Sequence, residues 1–186
     1  MLAARPVALA PKLAKAAALL AVLLAVVVGG PLVDAALLAS GGPVVQVTPE
    51  VRLGPLPGWR LAAAQEGQRP ALLTRGSGSL QVRSAATGAD AASLAIAYLR
   101  ERLAPISANL VVADGELVPL GAGLALRVAY RGQFGAGGRR GALAGEVTAL
   151  VSAAGTGVVF DAWAMDDTYP YERDDVAAMI RRAEVR

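Results

Sequence analysis

Residues 88–103 read GADAASLAIAYLRERL, and whether this stretch is a helix decides the fold. Asp90 can accept from the free amides of a first helical turn, and Ala91 to Leu103 contains neither Gly nor Pro. Ala92, Ile96, Leu99 and Leu103 recur at helical spacing, which predicts a buried stripe and leaves Arg100, Glu101 and Arg102 toward solvent. The stretch is therefore expected to be a helix over 91–103. What matters next is what flanks it.

Short strand patterns precede the helix. Val44 to Thr48 (VVQVT) reads as a strand, and Pro55-Leu56-Pro57-Gly58-Trp59 forms a turn leading into Arg60 to Ala64. Ala71 to Arg75 and Ser79 to Ser84 follow, joined through Gly76-Ser77-Gly78. Strand patterns resume after the helix. Leu110 to Ala113 and Glu116 to Leu120 flank Asp114-Gly115, a hairpin signal. Leu124, Leu126, Val128 and Tyr130 alternate with Ala125, Arg127, Ala129 and Arg131, the pattern of a half-buried strand. Ala142 to Ser152 and Val158 to Met165 are two more strands, joined through Ala154-Gly155-Thr156-Gly157. Pro170 suits the first position of a closing helix, with Glu172, Asp174 and Asp175 early, Arg181 and Arg182 late, and Val176, Met179, Ile180 and Ala183 facing inward. The order strands, helix, strands, helix predicts an α+β domain, a mostly antiparallel sheet covered by two helices.

Ahead of this domain lies a different kind of segment. Ala16 to Val33, AAALLAVLLAVVVGGPLV, is an uncharged run of 18 residues, preceded by Arg5, Lys12 and Lys15 and followed by Asp34. As a helix it spans roughly 27 Å, just short of the ~30 Å hydrocarbon core, and the residues up to Ala39 can extend it. The run is longer than the core of a typical signal peptide, so a retained signal anchor is expected over 16–39. Cleavage after Val33-Asp34-Ala35 is the competing reading. The basic residues keep 1–15 cytoplasmic, 40–43 (Ser-Gly-Gly-Pro) form a linker, and 44–186 make an extracytoplasmic domain of a single-pass cell-membrane protein. Leu37-Leu38-Ala39-Ser40-Gly41 is similar to the approach to a lipidation site, but no cysteine is present to carry the lipid.

Composition narrows the chemistry. The net charge of +3 and the pI near 9.7 come from the N-terminal tail, since residues 41–186 carry 15 arginines against 14 carboxylates. A near-neutral domain lacks the basic stripe that nucleic-acid binding requires, so no nucleic-acid partner is expected. The mean hydropathy of +0.48 is likewise raised by the apolar run. With no histidine and no cysteine, Ser-His-Asp and Cys-His hydrolase arrangements, His- or Cys-ligated zinc, iron-sulfur clusters and disulfides cannot be built from this chain. No cofactor is expected. Carboxylate chemistry, hard cations and noncovalent recognition stay open.

The Pro57-Gly58-Trp59 turn, the central helix after Asp90, the long strand pair and a final helix running to Glu184-Val185 together resemble the PsbP-like (Mog1/PsbP) superfamily, over residues 44 to 185. The resemblance implies an α/β/α sandwich and a noncatalytic accessory or binding role, with no catalytic residues to carry over. Bacterial members of this kind are exported domains tethered by a lipid or a single helix. They commonly carry a lipidated cysteine, which this chain lacks.

Local motifs supply the candidate sites. Gly132 to Gly141 (GQFGAGGRRG) combines glycines with Arg139 and Arg140, which could contact an anion or lipid. It lacks a P-loop ending and does not match GxGxxG, so a plain hairpin connection competes. Asp161, Trp163, Asp166, Asp167, Tyr169, Tyr171, Glu172, Asp174 and Asp175 place six carboxylates within 15 residues. Such a cluster could ligate Ca²⁺, although no EF-hand pattern is present. Trp163, Asp166, Asp167, Tyr169 and Tyr171 form the candidate recognition surface. Trp59 and Tyr98 are expected to be structural, with the Tyr98 hydroxyl at the rim of the core. Three functions follow: a membrane-anchored accessory or binding domain without catalysis, a small subunit of a larger membrane complex, or a hydrolase pairing Asp161 with Asp166 or Glu146. The membrane and an envelope protein are the expected partners.

Overall fold

The computed structural model describes residues 44–62, 70–135 and 141–186. The chain divides into two compact units, Met1–Ser40 and Gly41–Arg186, and every described residue belongs to the second. The expected anchor, its basic tail, the linker 40–43, and Arg139 and Arg140 lie outside the described residues. Among the described residues, no helix is long and apolar enough to cross a membrane.

The elements run β1 (Val45–Thr48), β2 (Val51–Leu53), β3 (Arg60–Leu61), β4 (Ala71–Arg75), β5 (Gly78–Ala86), α1 (Ala91–Tyr98), β6 (Ser107–Val112), β7 (Glu116–Leu120), β8 (Gly123–Phe134), β9 (Gly141–Val151), β10 (Thr156–Met165), α2 (Tyr169–Arg181) and β11 (Glu184–Val185). The large sheet has the order β3-β4-β5-β10-β9-β8-β6, with β7 also on β8, and a small sheet has the order β1-β2-β11. All pairings are antiparallel. The α+β class and the two-helix covering expected from the sequence are present.

Alternation along the central strands gives the sheet two apolar faces. Val158, Phe160, Ala162 and Ala164 of β10 join Leu80 and Val82 of β5 and pack against Val176, Met179 and Ile180 of α2 and the small sheet's Val51 and Leu53. Val159 of β10, with Val147 and Ala149 of β9 and Val128 and Tyr130 of β8, packs against Ala95 and Tyr98 of α1. Each helix thus covers one face. Adjacent residues of one strand serve different cores, the signature of a sheet buried on both sides.

Three local readings of the sequence are corrected. First, the buried side of α1 is Ala95 and Tyr98, with Leu94 and Leu99 beside them, while Ile96 is 53% exposed. The helix is rotated by about one residue, roughly 100°, from the expected stripe. The Tyr98 hydroxyl reaches a buried carboxylate, which fixes that rotation. Second, Asp114-Gly115 is not a hairpin turn. β6 pairs with β8 from Phe134 to Tyr130 and β7 with β8 from Arg127 to Gly123, so the two lie end to end along one edge. β8 spans 12 residues, long enough to accept both. Third, the chain beyond α2 leaves the helix, and β11 pairs with β2 in the small sheet.

The helix α1 ends in an unusual way. The backbone N–H of Ala104 bonds to Leu99 O, a wide five-residue turn, and a tight turn over Ala104–Ile106 follows. Pro105 offers no N–H and cannot continue an α-helix, so the chain must exit there. Helix α2 begins as expected with Pro170 in its first turn.

Arg75 at the end of β4 holds α2 against the sheet. Its guanidinium lies 2.5 Å from Glu172 and 2.5 Å from Asp175, and 5.3 Å over the buried Trp59 ring. Gly78 permits this approach, because a Cβ there would stand 3.1 Å from the Glu172 side chain. The Arg75 side chain is 29% exposed and Glu172 13%, whereas the surface pair Arg52–Glu184 is 36% and 55% exposed. Water screens the first pair less. Arg75→Ala is expected to lower the unfolding free energy by roughly 1–3 kcal/mol, and Arg52→Ala by less than about 0.5 kcal/mol. Denaturant titration of both variants checks this, and equal losses would refute the clamp.

Candidate functional site

The α1 face carries a buried carboxylate. Alternation on β10 turns Asp161 to this face between Val159 and Trp163, where it is 3% exposed. Tyr98, the last residue of α1, donates its hydroxyl to Asp161 Oδ2 at 2.7 Å, and Tyr130 of β8 donates to Oδ1 at 2.7 Å. Each oxygen therefore has its own donor. Gln81, directly across on β5, brings Oε1 to within 3.1 Å of the Tyr98 hydroxyl.

A glycine makes the Tyr130 contact possible. Tyr130 stands opposite Gly145 on β9, and Asp161 lies one strand further, on β10. The tyrosine ring must cross β9 to reach it. A Cβ on Gly145 would sit 2.5 Å from Tyr130 Cζ and 2.4 Å from the Ala162 carbonyl oxygen, so no larger residue fits. Phe134 packs edge-on to the Tyr130 ring at 5.9 Å between centroids and holds it in place.

Burial sets the protonation behaviour. Removal from water pushes Asp161 from 3.8 up to about 6, against the opposing hydrogen bonds of Tyr130 and Tyr98 and the charge of Arg83. Desolvation outweighs both donors. The same burial, with Asp161 beside them, holds the Tyr98 and Tyr130 phenols far above their ordinary value, so both remain protonated donors.

Above this floor lies a cleft of about 340 Å³. Its walls are Leu103, Ile106, Phe134, Leu143 and Trp163, and its rim carries Arg83 and Arg102. The wide turn after α1 delivers Arg102 and Leu103 to this opening. Arg83 Nε donates to Gln81 Oε1 at 3.1 Å, and its guanidinium lies 5.9 Å from the Tyr98 ring centroid. Of the acidic and aromatic candidates of residues 161–175, Asp161 and Trp163 meet here, beside Tyr98, which was expected to be structural.

The remaining candidates are distributed elsewhere. Glu146 faces the α2 side, 2.8 Å from Arg173, so the sheet separates it from Asp161. Asp166 is exposed just beyond β10 and lines a different hollow with Arg131 and Glu146, apart from the Asp161 cleft. Asp167 is exposed in the same turn, where Thr168 donates to it. Tyr169 is buried in the α2-side core and Tyr171 is 81% exposed. Trp163 therefore does not share one surface with Tyr169. Among the described residues, no group of three or more acidic side chains is placed to hold a metal ion.

The sequence reading did not single out Arg83 or Gly145, and it placed Arg102 only as a solvent-facing helix residue. Asp161 carried the usable signal: a charged residue inside VVFDAWAM, an otherwise apolar strand, requires buried donors.

No family model and no curated protein matches the chain by sequence. Solved structures do match in fold. PsbP (CyanoP) from Synechocystis is 10% identical, with a TM-score of 0.55 over 74% of this chain and 87% of its own. LpqN of Mycobacterium tuberculosis, involved in cell envelope biogenesis, is 15% identical, with a TM-score of 0.50 over 77% and 89%. The Saccharomyces cerevisiae Ran-binding protein Mog1p is 10% identical, with a TM-score of 0.51 over 73% and 90%. The fold is PsbP/Mog1-like, as the element order implied.

The raised value of Asp161 has a defined effect on stability. The folded state holds this proton more tightly than the unfolded chain, so its contribution is complete below the unfolded value of 3.8 and is lost as pH rises to about 6. Relative to Asp161→Asn, the native chain is expected to lose up to roughly 3 kcal/mol across that window and to change little above it. Urea titrations of both proteins at matched pH test this. A difference that stays constant with pH would show that Asp161 does not titrate there.

Proposed function

We propose that this chain is a membrane-tethered, extracytoplasmic accessory or binding domain that acts by recognition, without catalysis. The observation that carries the reading is the α1-side cleft. Its only carboxylate among the described residues, Asp161, has both oxygens engaged by tyrosine hydroxyls and serves as a fixture of the floor, while the walls above it are apolar and preformed. The noncatalytic reading is supported by the placement of both carboxylates that could pair with Asp161: Glu146 faces the opposite side of the sheet, and Asp166 lines a different hollow.

The tether is the segment 16–39, with Arg5, Lys12 and Lys15 setting the N-terminus in the cytoplasm. Two proteins that share the fold agree with a role of this type: Mog1p is a Ran-binding protein, and LpqN is involved in cell envelope biogenesis. Fractionation tests the placement. The full chain is expected in carbonate-washed membranes, with residues 44–186 digested by protease added outside intact spheroplasts; recovery in the soluble fraction, or protection from protease, would overturn it.

One observation favours a second reading, a small subunit of a larger membrane complex. In residues 16–33 the pair Gly29-Gly30 and the many alanines keep side chains small, which suits close packing against partner helices. A pull-down from gently solubilised membranes, with the full chain and with a bait lacking residues 1 to 40, separates the two. Partners retained by the shorter bait favour the accessory domain. Stoichiometric partners lost with residues 1 to 40 favour the subunit.

A further inference from the structure

We propose that the α1-side cleft binds an amphipathic organic anion, with the charged end held at the rim by Arg83 and Arg102 and the apolar body seated against Phe134, Leu143 and Trp163. This deepens the reading of the chain as a binding domain and rests on it.

Charge at the rim is the first argument. Neither Arg83 nor Arg102 has an ion-pair partner among the described residues, whereas Arg52, Arg75, Arg127, Arg131 and Arg173 are each within 4 Å of a carboxylate. Arg83 is nevertheless fixed in place, by its bond to Gln81 and its position over the Tyr98 ring. Asp161 below supplies Arg83 with a charge at a distance, but no carboxylate among the described residues contacts it; a guanidinium fixed in this way beside an apolar cavity is set to receive an anion, and its planar fork suits a carboxylate, sulfonate or phosphate.

The floor gives the second argument. Asp161 has a tyrosine donor on each oxygen and is almost fully buried, so it cannot swing out to neutralise the rim. Its charge also repels an anion placed deep in the cleft. The ligand's charge must stay at the rim while its body occupies the apolar walls. That geometry selects for a charge at one end only. A bare inorganic anion would leave the walls unused, and a neutral apolar molecule would leave both arginines unpaired.

The volume of about 340 Å³ suits a single small molecule, and Ile106, 58% exposed, supplies an apolar lip at the mouth. The same chemistry is offered by a free acid and by the head of an anionic lipid.

Anilinonaphthalene sulfonate, an anionic fluorescent dye with an apolar body, tests the proposal on the full chain in nanodiscs of zwitterionic lipid, with empty nanodiscs subtracted. Saturable binding is expected, weakened about tenfold or more in Arg83→Ala/Arg102→Ala and restored in part by Arg83→Lys/Arg102→Lys. Phenylnaphthylamine, which lacks the sulfonate, is expected to bind more weakly and to respond little to the arginine changes. Ile106→Trp, which fills the mouth without touching the core, is expected to weaken the sulfonate even if the alanine variant does not fold. Absence of saturable binding, equal affinity for the neutral dye, or indifference to both the arginine and Ile106 changes would overturn the proposal. None of these results bears on the pull-down, so a binding domain with another ligand would still be recognised. In nanodiscs containing phosphatidylglycerol, competition with the dye identifies a lipid head as the source of the anion, and no competition identifies a free acid.

Discussion

The arrangement of the molecule depends on one carboxylate. Asp161 sits on the central strand β10, and the two hydroxyls that reach it come from α1 and from β8. Burying it costs several kcal/mol, of which two charge-assisted hydrogen bonds return about 1.5–3 kcal/mol each. The balance still falls on the side of desolvation, because its ionisation is pushed up to about 6. Such a group persists where geometry leaves no alternative. Here Tyr98 fixes the rotation of α1, Tyr130 must lie across Gly145, and Gly145 can carry no side chain. One polar contact thereby sets a helix orientation, a ring position and a residue identity.

The opposite face is held by other means. α2 is fastened by Arg75 to Glu172 and Asp175, and by Glu146 to Arg173, over a core of aliphatic and aromatic side chains. Those pairs align the helix from the core's margin, with Glu146 the most buried of them. The domain thus has a side stabilised by partly exposed ion pairs over hydrocarbon, and a side stabilised by a buried hydrogen-bonded group beneath an open cleft. The second leaves room for a ligand.

Much of the fold was legible because hydrophobic alternation is local. Ala71 to Arg75 emerges as the strand the pattern predicts, and Val158 to Met165 and the stripe of α2 are also where periodicity placed them. What failed needed information from elsewhere in the chain. The face of α1 was misread because Ile96 is apolar and exposed, while Tyr98 is drawn inward by a residue 63 positions away. Asp114-Gly115 was misread because β6 and β7 each prefer β8 to one another, which no short window reveals. For the cleft, Trp163 and Asp161 were visible in sequence as an aromatic and a charge on one strand face. Arg83 and Arg102 were not, because β5 and the turn after α1 meet only in three dimensions.

The end-to-end placement of β6 and β7 has a further effect. A continuous strand along that side of β8 would present a long row of free amides and carbonyls, a template on which a second chain could polymerise. This one is broken by the irregular pairing around Asn109, whose φ is 60°, by the offset at Asp114-Gly115, and by Pro119, which has no amide to give. The large sheet's other described edge, β3, is two residues long. These rough borders leave few free amides and carbonyls in register for a second chain.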